Sequence, residues 1–549
     1  MLSAPTTRTS ELDSASNVSP IVYLDAALRY APQLVLQLDT SAFSPTYGCF
    51  DREYWHYRTA DFPCAMHAAC ILPLGLLWQI PHAQNPLYRC ARVPEWIEAA
   101  IAFAARSAHR DGSGDDYYPQ ERALGASAFS LFALTECLLR TGIRAPAHTG
   151  FFARRGAWIA THRESGGISN HQALAALALY NVFLLTGDAR FEDWARERAE
   201  TVIGALTQEG WFPEYGGCDP GYNTWTIGFL AHYARKCGNP QVSEALRPAV
   251  RFTQHFLHPD GSCGGAYGAR ESNNFFPHGF ELLAPTQPEA AWICTRARAA
   301  LKADRLARFD DHRIFQHHVE NYLLAWLDHA PAPLAAEGPP QSYERHFAQA
   351  GLFVRADSTT HFVTSLKKGG AFCLYRHGDL AHCESGLVGR TSQRRVVLSN
   401  LHDETRQVTV GDARVEIGGD LHVHEEPRSS TLKLIVFRLL LVVVGFCPAL
   451  SPHLKALLQR LLVVGKRPAP FRHRRRFTWR GDRLVVADQL ERTGTERITE
   501  LALASDQATR YTAIGNVYHA GRLVPWRALP DVATELNERA RANLERQFE

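Results

Sequence analysis

Apolar residues follow two different periods along the chain, and the change falls near residue 330. From Ile21 to about Ala330 they form long runs rich in Ala and Leu, as at 123–139, 173–185 and 224–233, separated by loops of Gly, Asp and Pro. Runs of this length predict packed helices. Beyond residue 342 the runs shorten, as at 351–355, 361–366, 371–375, 395–399, 407–410, 413–417 and 483–487. They are rich in β-branched and aromatic residues and bounded by turn residues, which predicts an antiparallel sandwich. The stretch 330–340 is a Pro/Ala linker between the two patterns. The expected organisation is a disordered tail at 1–20, a helical unit at 21–330, a linker at 331–341, a β unit at 342–530 and a C-terminal surface helix at 531–549.

The loops of the helical half carry a weak repeat. Asp111-Gly-Ser-Gly, Glu164-Ser-Gly-Gly, Glu209-Gly-Trp-Phe and Asp260-Gly-Ser-Cys recur about every 45 to 55 residues, each ahead of a helix. Two helices per unit cannot bury their apolar faces alone and must stack on their neighbours. If the array closes into an incomplete (α/α) toroid, the equivalent loops converge on one mouth. The fold class expected is therefore multidomain α plus β, with this toroid followed by the antiparallel β-sandwich.

One stretch breaks the β pattern. Residues 434–450 are almost wholly apolar, 454–464 are amphipathic, and Phe471-Arg-His-Arg-Arg-Arg476 follows. A spanning helix needs about 20 apolar residues, and Arg438 and Pro448 interrupt this one. The insert 432–476 reads as a monotopic membrane-surface element. A buried helical hairpin with a solvated basic edge, or a site for an acidic polymer, would explain it too.

Composition changes this picture little, and charge changes it locally. The net charge is +3, with 59 Lys and Arg against 56 Asp and Glu. Between 427 and 481 there are twelve Lys and Arg and no Asp or Glu, so the rest of the chain is net acidic. The first twenty residues lack an apolar core, so no signal peptide is expected and the location expected is cytoplasmic, peripheral on the inner face of the membrane if the insert binds there. The 12 cysteines form no CxxC pair, which fits reduced thiols.

Candidate chemistry collects in the loops. Asn170-His171 stands at a loop-to-helix junction, where helix capping would also explain the asparagine. Glu214 and Tyr215 precede Asp219-Pro-Gly-Tyr222, and the other loops add Tyr54, Trp55 and His56, then Tyr117 and Glu121, then Arg270, Asn273 and His278. Such a cleft offers aromatic faces to sugar rings and polar groups to hydroxyls and carboxylates. In the β half, His377 and His382 end one strand and could lean over the mouth.

Together Asn170-His171, Asp219-Pro-Gly-Tyr222 and a histidine early in the β unit resemble the heparinase II/III-like superfamily of polysaccharide lyases. The resemblance implies an α/α toroid and a β-sandwich with the active site between them. It also implies a catalytic set of Asn170, His171, Tyr222 and one β-unit histidine, either His377 or His382. The remaining loop residues would bind an anionic polysaccharide or oligosaccharide. β-Elimination across C4 and C5 of a uronate needs the carboxylate neutralised, a base for the C5 proton and an acid for the leaving oxygen. His171 or Tyr222 could be the base and Tyr222 the acid, with a phenol pKa lowered by His171, His377 or Arg270. No cofactor, metal or nucleic-acid partner is expected; His422 and His424 read as strand surface residues. Two alternatives are a non-catalytic membrane-associated glycan-binding protein of polysaccharide assembly and a toroid glycoside hydrolase using paired carboxylates such as Asp115, Asp116 and Glu214.

Overall fold

The computed structural model describes residues 18–163, 167–306, 311–332, 335–424, 430–447, 450–459, 467–507, 509 and 524–549. The expected tail at 1–20, except its last three residues, lies outside them.

Six helices form a closed inner ring: Ile71–Gln79, Leu124–Thr141, Ser169–Thr186, Pro220–Cys237, His278–Leu283 and Phe315–Asp328. Each packs on the next, and the last returns to the first. Leu124–Thr141 shows why these runs lie inside, since every side chain from Leu124 to Leu138 is buried. A helix that is apolar all round can only be surrounded. Outer helices carry one apolar stripe instead: Arg92–Ser107 buries Val93, Ile97, Ala100, Ile101 and Ala104. Three successive inner helices stop on a left-handed glycine, Gly142, Gly187 and Gly238, where a side chain would be strained.

One inner helix of the ring is short. His278–Leu283 has six residues, less than two turns. The loop 264–277 fills the space above it, running beside the start of Pro220–Cys237. A Cβ on Gly221 would lie 2.4 Å from Ser272 Oγ and 2.9 Å from Asn274 O, so this approach requires glycine there.

The β unit has two antiparallel sheets. The first runs β1 (Tyr343–Phe347), β2 (Leu352–Ala356), β3 (Thr360–Ser365), β4 (Phe372–Arg376), β5 (Asp379–Glu384) in order. The second contains β6 (Gly386–Thr391), β7 (Val396–Leu398), β8 (Gln407–Gly411), β9 (Arg414–His424), β10 (Arg467–Arg480), β11 (Arg483–Arg492), β12 (Ile498–Ala504), β13 (Arg527–Ala528) and β14 (Arg541–Phe548). Its order is β13-β12-β6-β7-β9-β10-β11-β14, with β8 beside β9. The first sheet is covered on both faces. Leu352, Val354, Val363 and Tyr375 meet Trp211, Phe252, Phe256 and Tyr267 of the toroid. Phe353, Phe362, Phe372 and Leu374 meet Ile417, Phe477, Trp479 and Val486 of the second sheet. Alternate side chains thus serve different cores.

Two expected elements take another form. Of the stretch 531–549, Pro530–Arg539 is helical, but Arg541–Phe548 is β14, paired with β11. The insert becomes helices Thr431–Phe446 and Ser451–Gln459 followed by the start of β10. The arginine cluster at 471–476 is therefore in a central strand, and period 2 splits it. Phe471, His473 and Arg475 point inward, where Arg475 meets Glu384 at 2.5 Å and Asp488 at 2.7 Å. Arg474 and Arg476 point outward to Glu416, at 3.5 and 3.1 Å. Helix Thr431–Phe446 is exposed along most of its length, which excludes the buried-hairpin reading. Among the described residues no helix is long and apolar enough to cross a membrane.

Candidate active site

Inner helices starting at one end bring their preceding loops together at that end. Asn170 and Tyr222 occupy the first turns of adjacent inner helices, Ser169–Thr186 and Pro220–Cys237. Asp219 caps the second of these and holds the loop 264–277 against it. Its Oδ1 accepts from Tyr222 N (3.1 Å) and Ser272 Oγ (2.7 Å), and its Oδ2 accepts from Arg270 N (2.9 Å). This carboxylate is a clip that places Arg270 beside Tyr222.

Arg270 is the hub of the cluster. Its guanidinium lies 3.8 Å from the Tyr222 ring centroid and 4.8 Å from that of Tyr215, a cation sandwiched between two phenols. Arg270 Nη1 donates to Glu214 Oε1 at 2.5 Å, and Asn170 Nδ2 donates to Glu214 Oε2 at 2.8 Å. All four of Asn170, Glu214, Tyr222 and Arg270 are buried. Asn170 Oδ1, Asn273 Oδ1 and Arg270 Nε have no hydrogen-bond partner among the described residues. Buried polar atoms in native folds usually have partners, so this set has unused capacity for a polar ligand.

Burial shapes the titration of the cluster. It pushes the Tyr222 phenol well above its ordinary value; Glu214 and Asp219 add to the rise, and only Arg270 opposes it. The lowered phenol pKa expected from the sequence is thus reversed. Burial likewise raises Glu214, against the pull of Arg270 and His171.

His171 forms the half-buried edge of the site, perpendicular to Phe129 at 5.6 Å. Tyr215, at a left-handed φ of 51°, lies half-buried over Arg270. Tyr117 is exposed beneath the guanidinium of Arg313, which also bonds Asp116 at 2.5 Å.

Other expected residues lie elsewhere. His278 Nε2 donates to Asp328 Oδ2 (2.9 Å), in a buried network with Arg140 and His232 away from the mouth. The loop 264–277 has displaced its helix downward. Glu121 is engaged by Lys455 at 3.2 Å and by the amides of Asp116 and Tyr117. Tyr54, Trp55 and His56 lie at the short helix Arg52–Trp55, with Tyr54 against Phe103, Trp55 Nε1 donating to Gln37 O and His56 against Trp55. His377 is exposed at the β4–β5 turn and lines a groove of ≈ 1150 Å³ with Asp260, Arg296 and His361. His382 packs on Phe372 and Phe548 in the sandwich. Neither histidine leans over the Tyr222 cluster.

The β-unit histidine that does approach is His402, whose ring would lie 3.3 Å from a Cβ on Gly217, in the hairpin bearing Glu214 and Tyr215. Its signal was weak, a lone His-Asp after β7. Lys368 was also missed: this buried ammonium donates to Ala266 O and Glu271 Oε1, at 2.8 and 2.6 Å, tying the Arg270 loop to the β3–β4 turn. Arg313, from the loop before the last inner helix, lacked the glycine and aromatic marks of the other loops.

No protein-family model matches the chain, and no curated protein matches its sequence. Among solved structures, the chondroitin AC lyase of Streptomyces coelicolor A3, in complex with chondroitin sulphate, is similar over 91% of this chain and 69% of its own, with a TM-score of 0.52 and 11% identity. A mutant unsaturated glucuronyl hydrolase of Streptococcus agalactiae is matched over 60% of this chain and 98% of its own, with a TM-score of 0.41 and 9% identity. The first is a likeness of fold, toroid and β domain together. The second score is too low to add to it.

Proposed function

We propose that this protein is a glycan-processing enzyme of the heparinase II/III-like type, cleaving a uronate-containing polysaccharide by β-elimination. The observation that carries the reading is the stacking of Arg270 on Tyr222 within a buried cluster that Asn170 and Glu214 complete. Arg270 and Asn170 already hold one carboxylate, that of Glu214, and the same donors suit a substrate uronate. Glu214, raised by burial, takes up a proton more readily than an ordinary carboxylate and would then release Arg270 to the substrate.

Tyr222 is the acid that protonates the departing glycosidic oxygen; burial makes its phenol a weaker acid, and the Arg270 guanidinium stacked on the ring, which favours the phenolate, is the group that eases release of the proton. His171, at the half-buried edge, is the base for the C5 proton. The fold likeness to a lyase crystallised with chondroitin sulphate agrees with an anionic glycan as the partner. Hydrolysis by paired carboxylates is less well supported, because Asp115 is held by His109 and the amides of Gln120 and Arg122, Asp116 by Arg313, and Glu214 by Arg270 and Asn170.

The test is incubation with a panel of uronate polymers while following the ultraviolet absorbance of the unsaturated product. Wild type is expected to produce it and Tyr222→Phe to lose it by about 10²-fold or more. Equal absorbance from the Phe variant would remove Tyr222 from the mechanism, and reducing sugar without absorbance would replace elimination by hydrolysis.

A further inference from the structure

Strands β4 and β5 hold two sulfurs against each other. Cys373 and Cys383 are directly opposed in the antiparallel pairing, so both side chains stand on the same face of the sheet. That face packs on the toroid, and both thiols belong to its core. Cys373 Sγ donates to Cys383 Sγ at 3.6 Å, and Cys383 Sγ donates to Ser505 O at 3.7 Å. Among the described residues no other two cysteine sulfurs are in contact.

Opposed residues of an antiparallel pair have Cα atoms about 4.5–5.5 Å apart, inside the range of about 4.4–6.8 Å that a disulfide spans. Side-chain rotation is therefore enough to bring the two sulfurs to bonding distance, with both strands where they are. The thiols differ in access. Cys373 is sealed at 0% exposed, whereas Cys383, at 5%, borders a cleft of ≈ 360 Å³ between β5, β12, β13 and β14. A small oxidant meets Cys383 first.

We propose that Cys373 and Cys383 are an oxidisable dithiol that a peroxide converts into a cross-strand disulfide. Hydrogen peroxide oxidises the Cys383 thiol to a sulfenic acid and leaves as one water. The Cys373 sulfur then attacks the Cys383 sulfur: the S–S bond forms, the S–O bond breaks, and the hydroxyl departs with the Cys373 proton as a second water. Two thiols and one peroxide thus give one disulfide and two waters. A buried thiol reacts slowly, so the first step sets the rate. The second joins sulfurs already in contact and outruns further oxidation to the sulfinic acid. The bond ties together the hairpin that brings Tyr375 Oη to His258 Nδ1 of the toroid, at 2.8 Å.

Peptide mapping of the full chain after treatment with hydrogen peroxide tests this without reference to glycan cleavage. Trypsin cuts after Lys368, Arg376 and Arg390, so the disulfide would join peptide 369–376 to peptide 377–390. After alkylation of the remaining thiols in denaturant, this joined pair is expected to replace the two alkylated peptides in equal measure. Its mass should fall two hydrogens short of the sum of its parts, and dithiothreitol should release both peptides. In Cys373→Ala the cross-link should be lost and Cys383 should proceed to the sulfinic acid. The exposed Cys447 reports that the oxidant has acted. Recovery of peptides 369–376 and 377–390 unjoined once Cys447 is oxidised overturns the proposal, and this reading of the wild type stands whether or not the alanine variant folds. Linkage of either cysteine to another one, in protein whose circular dichroism is unchanged, overturns it too.

Discussion

Arg270 is a buried cation whose neighbours make its two tasks separable. It neutralises Glu214 inside the fold and stacks on Tyr222 at the point of proposed chemistry. Arg270→Gln removes the cation from a buried carboxyl that burial already pushes towards its protonated form, so the cost is at most the about 3–5 kcal/mol of breaking a buried ion pair. Glu214→Gln alone strands the guanidinium. The double variant, with neutral groups at both positions, should recover most of the lost stability in a denaturant titration. It should not recover activity, because Asn170 remains but the one cation of the cluster that would neutralise a uronate is gone. Recovery of both would show that Arg270 acts only through folding. The sequence offered these residues as separate loop positions. Their adjacency was legible, since they lie on neighbouring repeats, but the direction of the Tyr222 shift was not, because burial depends on how closely the loop 264–277 covers the helix.

Strand β10 shows how an element can hide its nature behind its charge. Read as a run, 471–476 is a basic cluster; read with period 2, it is three inward and three outward positions, and tertiary burial decides which reading holds. The inward Arg475 joins Glu384, Asp488, Arg546 and His473 in a buried network between the sheets. Burial alone would raise the Glu384 carboxyl, but Arg475 and Arg546 bring it down to about 2. Burial also works against the ionised Asp488, yet Arg475, His473 and Arg546 hold that carboxyl well below the ordinary range. Folded-state pKa values below the unfolded ones mean that both carboxylates stabilise the fold above the ordinary carboxylic range. That stability is lost as pH falls through the folded values. The thermal midpoint is therefore expected to drop steeply between about pH 4.5 and pH 2, and Glu384→Gln should flatten that drop while lowering the midpoint at neutral pH. A midpoint with the same acid dependence in Glu384→Gln would place the acid-sensitive group elsewhere.

At the scale of the molecule, the toroid and the β unit were legible because their apolar periods differ, while their manner of joining was not. Nothing in the local pattern says which face of a strand will meet a helix bundle, so His377 and His382 were assigned to a mouth that His402 approaches instead. The structure supplies the missing step: the first sheet is a middle layer. Its toroid-facing side chains, Val354, Val363 and Tyr375 among them, are buried against Trp211, Phe252 and Phe256 and would be wetted if the two units separated. The Lys368–Glu271 pair across the same boundary would also lose its partner. Partial unfolding at the boundary thus exposes apolar surface on both sides and a buried charge, so neither unit is expected to persist without the other. Calorimetry should show one transition for the whole chain, and expression of the toroid alone should give aggregated material. Phe256→Ala, which removes a ring packed on Tyr267 and Phe347, should cost about 3–5 kcal/mol and move that single transition as a whole. Two resolved transitions, with only one shifted by Phe256→Ala, would mean that the boundary is too weak to couple the units and that the position of Arg270 does not depend on the β unit through Lys368.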